Sequence, residues 1–158
     1  MRRLPGILAL AVAALLPASA SADSCWDHNG SVMRLVANGN QRAFYYEVPR
    51  PVLAGGGVRQ GTLLFNGVKS GDWYSGTSRV FSKFCPGNPA EYAVEGPVDP
   101  SQTRVTLRGT RQVFSQCRGT GRQTTDVLVF TYIGQCPGDT QPPVPPAGQP
   151  QNGSSGAS

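Results

Sequence analysis

Histidine is nearly absent from this sequence, and its few cysteines are widely spaced. The only histidine is His28, and no two of the four cysteines form a C-x-x-C pair. Protein zinc sites draw their ligands from closely spaced cysteines and histidines, so this composition argues against a metal site. The sequence also lacks a G-x-S-x-G motif and a phosphate-binding loop. We therefore expect no cofactor, no metal and no assignable set of catalytic residues.

His28 nevertheless supports one enzymatic alternative. It lies in the segment Asp27-His28-Asn29-Gly30-Ser31. A histidine oriented by a carboxylate can act as a general base for a serine nucleophile located elsewhere in the chain. This would make the protein a small secreted hydrolase. A polar turn before the first strand, capped by Asp27 or Asn29, explains the same residues. We favour the turn, because no serine lies in a recognisable nucleophile context.

Long apolar runs are also lacking, except near the N-terminus. The run Ile7–Leu16 has ten residues, whereas a membrane-spanning helix needs roughly 20. Arg2 and Arg3 precede it and Ala20-Ser21-Ala22 follows it, which is the pattern of a secretory signal peptide. We therefore predict a signal peptide over residues 1–22, export to the periplasm or the medium, and no transmembrane span.

All four cysteines lie after this segment. An even number of cysteines in a small exported domain predicts a disulfide framework. Three pairings are possible, and the sequence alone leaves the connectivity open. We prefer Cys85–Cys117 with Cys25–Cys136, because the second bond would join the two ends of the folded region.

Charge is sparse and nearly balanced. Residues 23–158 carry 12 basic and 9 acidic side chains, and so mild an excess does not indicate a nucleic-acid partner. Residues 23–139 have the length of one ordinary domain, which we predict to be a β-domain. Residues 140–158 are rich in Pro, Gly and Ser and cannot form a packed core, so we predict a disordered tail.

Amphipathic helical patterns are lacking from the predicted domain. Short runs rich in Val, Phe, Tyr, Thr and Leu alternate with turn residues, which is typical of an all-β fold. The predicted strands are Ser31–Val36, Arg42–Val48, Thr62–Asn66, Trp73–Phe84, Glu91–Glu95, Thr103–Phe114 and Thr124–Ile133. Short loops join most of them, with turn signals that include Asn66-Gly67 and Arg118-Gly119-Thr120-Gly121. This favours an antiparallel meander closed into a barrel of seven to eight strands, with a β-sandwich as the alternative.

Arginine is concentrated in one stretch of the chain. Between Asp99 and Asp126 there is no acidic residue but there are five arginines, namely Arg104, Arg108, Arg111, Arg118 and Arg122. They could bind an anion such as an acidic polysaccharide, a lipid head group or a phosphate. A solvated strand face is the more common explanation of such a pattern.

Aromatic residues cluster in and beside the first hairpins. Tyr46, Trp73 and Tyr74 could line a ligand pocket inside the barrel, or they could form its core. Taken together, the sequence favours a non-enzymatic exported β-domain that binds a ligand or an envelope component. The hydrolase using His28 and a structural protein of the cell envelope are the alternatives.

Overall fold

Eight antiparallel strands make up most of residues 23–137, the part of the chain that the computed structural model describes. Each strand pairs with the next in sequence, and β8 pairs with β1, so the sheet closes into a barrel. The strands are β1 Ser24–His28, β2 Ser31–Asn38, β3 Gln41–Val48, β4 Leu63–Ser70, β5 Trp73–Val80, β6 Ala90–Pro97, β7 Arg104–Ser115 and β8 Arg118–Gln135. A short 3-10 helix, Pro51–Gly56, lies between β3 and β4. The predicted all-β barrel is confirmed, with eight strands.

Residues 1–22 and 138–158 lie outside the described residues. The predicted signal peptide and the predicted tail therefore remain predictions. Within residues 23–137, no helix has the length and apolar character needed to cross a membrane.

Three local features differ from the sequence-based prediction. The segment containing His28 is a strand, β1, because it pairs with β2 on one side and β8 on the other. Asn66-Gly67 is not a turn but lies inside β4. Gly67 faces Gly76 of β5 there, and a Cβ at Gly67 would lie only 2.7 Å from the Gly76 Cα atom. The glycine therefore permits close approach of two strands rather than a chain reversal.

The third difference concerns the last hairpin. Arg118 and Gly119 already belong to β8, and the chain reverses at Gln116 and Cys117. Both of these residues have positive φ, at 47° and 66°. This is the backbone of a two-residue hairpin turn, which usually selects Gly, Asn or Asp. Gln116 and Cys117 are not typical of such a turn, so the chain reversal could not be recognised from these residues.

The alternation of side chains along the strands fills the barrel with aromatic rings. Phe44 and Phe130 are fully buried and stack with their ring centroids 4.0 Å apart. Trp26 meets the Phe44 ring edge-on at 5.9 Å, and Phe65 stacks on Tyr74 at 6.4 Å. Such ring pairs add stability beyond the area they bury.

The connections between strands define two ends of the barrel. One end, called here the loop end, carries the β1–β2 turn, the β3–β4 loop, the β5–β6 loop and the β7–β8 hairpin. The opposite end carries Asp23 and Pro137, where the described region begins and ends. At this opposite end the Cys136 amide donates to the Asp23 carbonyl over 3.2 Å.

Each end of the barrel has one disulfide bond. Cys25–Cys136 joins β1 to the residue after β8 at the opposite end. Cys85–Cys117 joins the β5–β6 loop to the tip of the β7–β8 hairpin at the loop end. Disulfide bonds are thus present as predicted, and their pairing is the one that the sequence analysis preferred.

The β7–β8 hairpin is much longer than the others. β7 has 12 residues and β8 has 18, whereas the remaining strands have 5 to 8. Their ladder extends from Arg104 opposite Thr131 to Ser115 opposite Arg118. The hairpin therefore projects beyond the barrel at the loop end, where the Cys85–Cys117 bond holds its tip against the β5–β6 loop.

Candidate functional site

A cavity of about 370 Å³ opens at the loop end of the barrel. Its walls come from the ends of all eight strands and from the β3–β4 loop. The aromatic core lies below it. Apolar contacts are provided by Leu53, Leu64, Phe81 and Leu128, while the polar groups occupy two walls and the rim.

His28 forms part of the first wall and is held in one orientation. Its ring stacks on Phe130 with centroids 4.6 Å apart, and its Nδ1 atom lies 2.9 Å from the Val129 carbonyl oxygen. A carbonyl can only accept, so Nδ1 carries the proton and Nε2 is left as an acceptor. Burial lowers the pKa of His28, against the effect of the Val129 hydrogen bond and the charge of Asp27. The imidazole is therefore neutral at pH 7.

Tyr46, on β3, is a buried residue whose polar group lies at the cavity. Only 5% of the residue is exposed, and its ring meets Phe81 edge-on at 6.0 Å. Its hydroxyl has no hydrogen-bond partner among residues 23–137, although the residue lines the cavity. Burial raises the pKa of Tyr46 to about 12. The hydroxyl is therefore a neutral donor throughout the physiological pH range.

The second wall is a polar network on β6, β7 and β8. Arg111 donates from Nε to the Asp126 carboxylate over 2.5 Å, and its guanidinium lies 5.9 Å from the centroid of the Tyr92 ring. Burial, the hydrogen bond to Asp126 and the charge of that carboxylate raise the pKa of Tyr92 to about 12. The three side chains satisfy one another, so this wall is structurally fixed.

Arg50 lies at the rim, just before the 3-10 helix. Its backbone amide donates to the Ser31 hydroxyl oxygen over 3.0 Å. The Arg50 side chain packs beside Gly30. A Cβ atom added to Gly30 would lie 3.4 Å from the Arg50 Cδ atom. Gly30 also has a φ of 79°, so a side chain at this turn is unfavourable on both counts. The guanidinium is exposed and close enough for its charge to lower the pKa of both His28 and Tyr46.

Comparison with known proteins gives little further information. No protein-family model matches the chain, and no curated protein matches it. A solved structure with a related shape is the crystal structure of apo short afifavidin, with a TM-score of 0.45 and 22% sequence identity. The match covers 72% of this chain and 96% of that one. Similarity at this level carries no information on function.

The three predicted pocket aromatics lie in different places. Tyr46 lines the cavity. Tyr74 is buried against Phe65 in the core, with the Arg42 guanidinium 5.9 Å from its ring centroid. Trp73 is 44% exposed and its indole nitrogen donates to Glu95 over 3.3 Å, so it lies outside the barrel. Only Tyr46 is therefore positioned to meet a ligand in this cavity.

The five predicted anion-binding arginines also separate. Arg104 and Arg108 are exposed on β7, and their spacing places both on its outer face. Arg111 has the opposite parity and faces the cavity, paired with Asp126. Arg118 and Arg122 are exposed on the projecting part of the β7–β8 hairpin. They do not form one stripe, and an anion site on the outer face remains a prediction for Arg104 and Arg108 alone.

The surroundings of His28 bear on the hydrolase alternative. Its protonated nitrogen is bound by a backbone carbonyl rather than by a carboxylate. Asp27 is exposed and points away from the barrel interior. Among residues 23–137 no serine hydroxyl is hydrogen-bonded to the imidazole, and Asn29 is its side-chain partner at 3.4 Å. The geometry positions Nε2 of His28 as a hydrogen-bond acceptor, and the hydrolase alternative stays a prediction.

Proposed function

We propose that this protein is an exported, non-enzymatic barrel that binds a small molecule in the cavity at its loop end. The observation that carries the proposal is Tyr46, a residue that is only 5% exposed, lines the cavity, and has no protein partner for its hydroxyl within residues 23–137. A hydroxyl without a protein partner in a partly apolar wall is a positioned donor for a ligand that accepts a hydrogen bond.

The size and lining of the cavity support the same proposal. Ligand pockets have volumes of roughly 300–1,000 Å³ and combine apolar walls with a few fixed polar groups. The cavity has about 370 Å³, with Leu64, Phe81 and Leu128 among its apolar contacts. Barrels of eight strands either fill their interior with side chains or hold one small ligand. Here the core fills only the part below the cavity.

The sequence and the disulfides support the exported location. Disulfide bonds persist in oxidising compartments and are rare in the cytosol. Two of them stabilise the described region. The expected signal peptide over residues 1–22 would deliver the chain to such a compartment.

The proposal can be tested by native mass spectrometry of protein purified from the exported fraction of its own host. We expect extra mass that disappears on denaturation. In the variant Val80→Trp, the indole would fill the cavity that Val80 lines, so the extra mass should be lost. The control is Val68→Trp, because Val68 is 41% exposed on the outer face of β4. Wild-type protein that carries no ligand, and that binds none from an extract of the same host, would contradict the proposal.

A further inference from the structure

The arginines that line the cavity are not equally neutralised. Arg79 pairs with Glu91 over 3.0 Å and donates to the Asn66 side chain over 2.7 Å. Arg111 pairs with Asp126. Arg50 has no acidic partner among the residues that the structure describes. One positive charge at the cavity rim is therefore left unmatched.

Arg50 is also held in place rather than free to move with a loop. Its amide is fixed by Ser31, and its aliphatic stem rests on Gly30. Pro51 follows it and requires an extended conformation, which Arg50 adopts with φ −60° and ψ 141°. The side chain thus leaves the backbone at a defined point beside the opening.

Two hydrogen-bond donors belong to residues that line this one cavity. One is the Arg50 guanidinium, whose charge also lowers the pKa of Tyr46. The other is the Tyr46 hydroxyl, which has no protein partner within residues 23–137. A planar carboxylate can accept from a guanidinium and from a hydroxyl at once, and these charge-assisted bonds are stronger than neutral ones. A doubly charged phosphate would leave one charge unmatched at a single arginine.

We propose that the ligand is a small organic acid whose carboxylate is bound by Arg50 and Tyr46 at the rim. Its apolar body lies deeper in the cavity, against Leu64, Phe81 and Leu128. The inference rests on the proposed function and assigns the chemical class of the ligand for the same cavity. Asp126 is the one acidic residue among those that line the cavity, and it is paired with Arg111, so no unpaired carboxylate in the described lining repels an anion.

The test compares acids with the amides of the same shape. The probes are 2-naphthoate against 2-naphthamide and octanoate against octanamide, measured by isothermal titration calorimetry at pH 7.5. We expect each acid to bind at least about tenfold more tightly than its amide, because only the acid forms a charge-assisted pair. Arg50→Gln should abolish this preference, and Arg50→Lys should restore part of it.

Two variants serve as references. Arg108→Gln removes an exposed arginine from the outer face of β7, so the preference for the acid should be unchanged. Tyr46→Phe removes the second donor but keeps the ring, so binding of the acid should weaken several-fold. Thermal unfolding of each variant shows that it is folded, and Arg50 is exposed enough for its replacement to be tolerated.

The outcomes separate this inference from the proposed function. Equal binding of acid and amide, or an unchanged preference in Arg50→Gln, overturns the assignment of a carboxylate while the cavity remains a binding site. Failure of both acids to bind also overturns it. The proposed function itself is then decided by the ligand mass in wild type, Val80→Trp and Val68→Trp.

Discussion

The two disulfide bonds should contribute differently to the free energy of unfolding, since they close loops of different length. They also lie at different ends of the barrel. A disulfide stabilises mainly by restricting the unfolded chain, and the effect grows with the logarithm of the loop. Cys25 and Cys136 are separated by 111 residues, and Cys85 and Cys117 by 32. The loop-entropy relation then gives about 4.8 kcal/mol for the first bond and about 3.7 kcal/mol for the second.

The effects of the two bonds on the cavity rim should be in the opposite order to their effects on global stability. Cys25–Cys136 lies at the end away from the cavity, so its removal should lower global stability and leave the cavity rim intact. Cys85–Cys117 ties the β5–β6 loop to the projecting hairpin, and these segments contribute Phe81 and Thr125 to the cavity. Its removal should loosen the rim although it costs less stability overall.

Double variants test both statements in one set of measurements. Cys25→Ala/Cys136→Ala and Cys85→Ala/Cys117→Ala are unfolded in urea to obtain the free energy of unfolding. Hydrogen exchange then follows residues 81–89 in each native protein. We expect the first variant to be less stable by about 1 kcal/mol than the second, and only the second to exchange faster in that loop. Equal exchange in the two variants, or a larger loss of stability from the shorter loop, would refute the reasoning.

Two further predictions concern the interior. Burial lowers the pKa of His28 below 6.5, so the unfolded chain takes up this proton more readily than the folded one. The free energy of unfolding should therefore fall as the pH decreases from 7 to 5, and His28→Gln should lose this dependence in urea titrations at each pH. Gly67→Ala should destabilise the barrel by about 1–3 kcal/mol, because the added Cβ would collide with the Ser75 carbonyl oxygen. Gly55→Ala is the control, since its Cβ would meet only the Lys83 Cβ atom at 3.6 Å; equal melting temperatures for the two would contradict the assignment of close strand approach.

The sequence was sufficient to predict the barrel because local signals were consistent. Runs of β-branched and aromatic residues separated by turn residues indicate successive hairpins, and closure follows from the need to pair both edge strands. The errors arose where one dipeptide fits two structures. Asn66-Gly67 suits a turn, yet in the barrel Gly67 allows β4 to approach β5 at Gly76. Such a contact depends on the partner strand and cannot be read from β4 alone.

The site was much less predictable. Tyr46 could be singled out as an aromatic residue on a strand. It is buried like Tyr74, and only its place in the cavity wall and its lack of a hydroxyl partner in the described region distinguish the two. No sequence pattern indicates Arg50 as a site residue. What sets it apart is that, of the arginines lining the cavity, it alone has no acidic partner in the described region, and this depends on the tertiary structure. The alternation along β6 is the sequence signal that identifies Tyr92 as inward-facing. Which end of a strand faces a cavity is set by tertiary structure.

The pairing of β8 with β1 makes the folded region nearly circular. All other neighbouring strands are joined by hairpins or by loops, so the seam between β1 and β8 is the one strand interface in the described barrel that the backbone does not bridge directly. The Cα atoms of Cys25 and Cys136 are 4.9 Å apart at this seam. A short peptide linker could replace the disulfide there, and the chain could be reopened at Gly71, where a Cβ would meet no neighbour within 4 Å. The order of the strands around the barrel would be unchanged, while the cavity end would keep all of its loops.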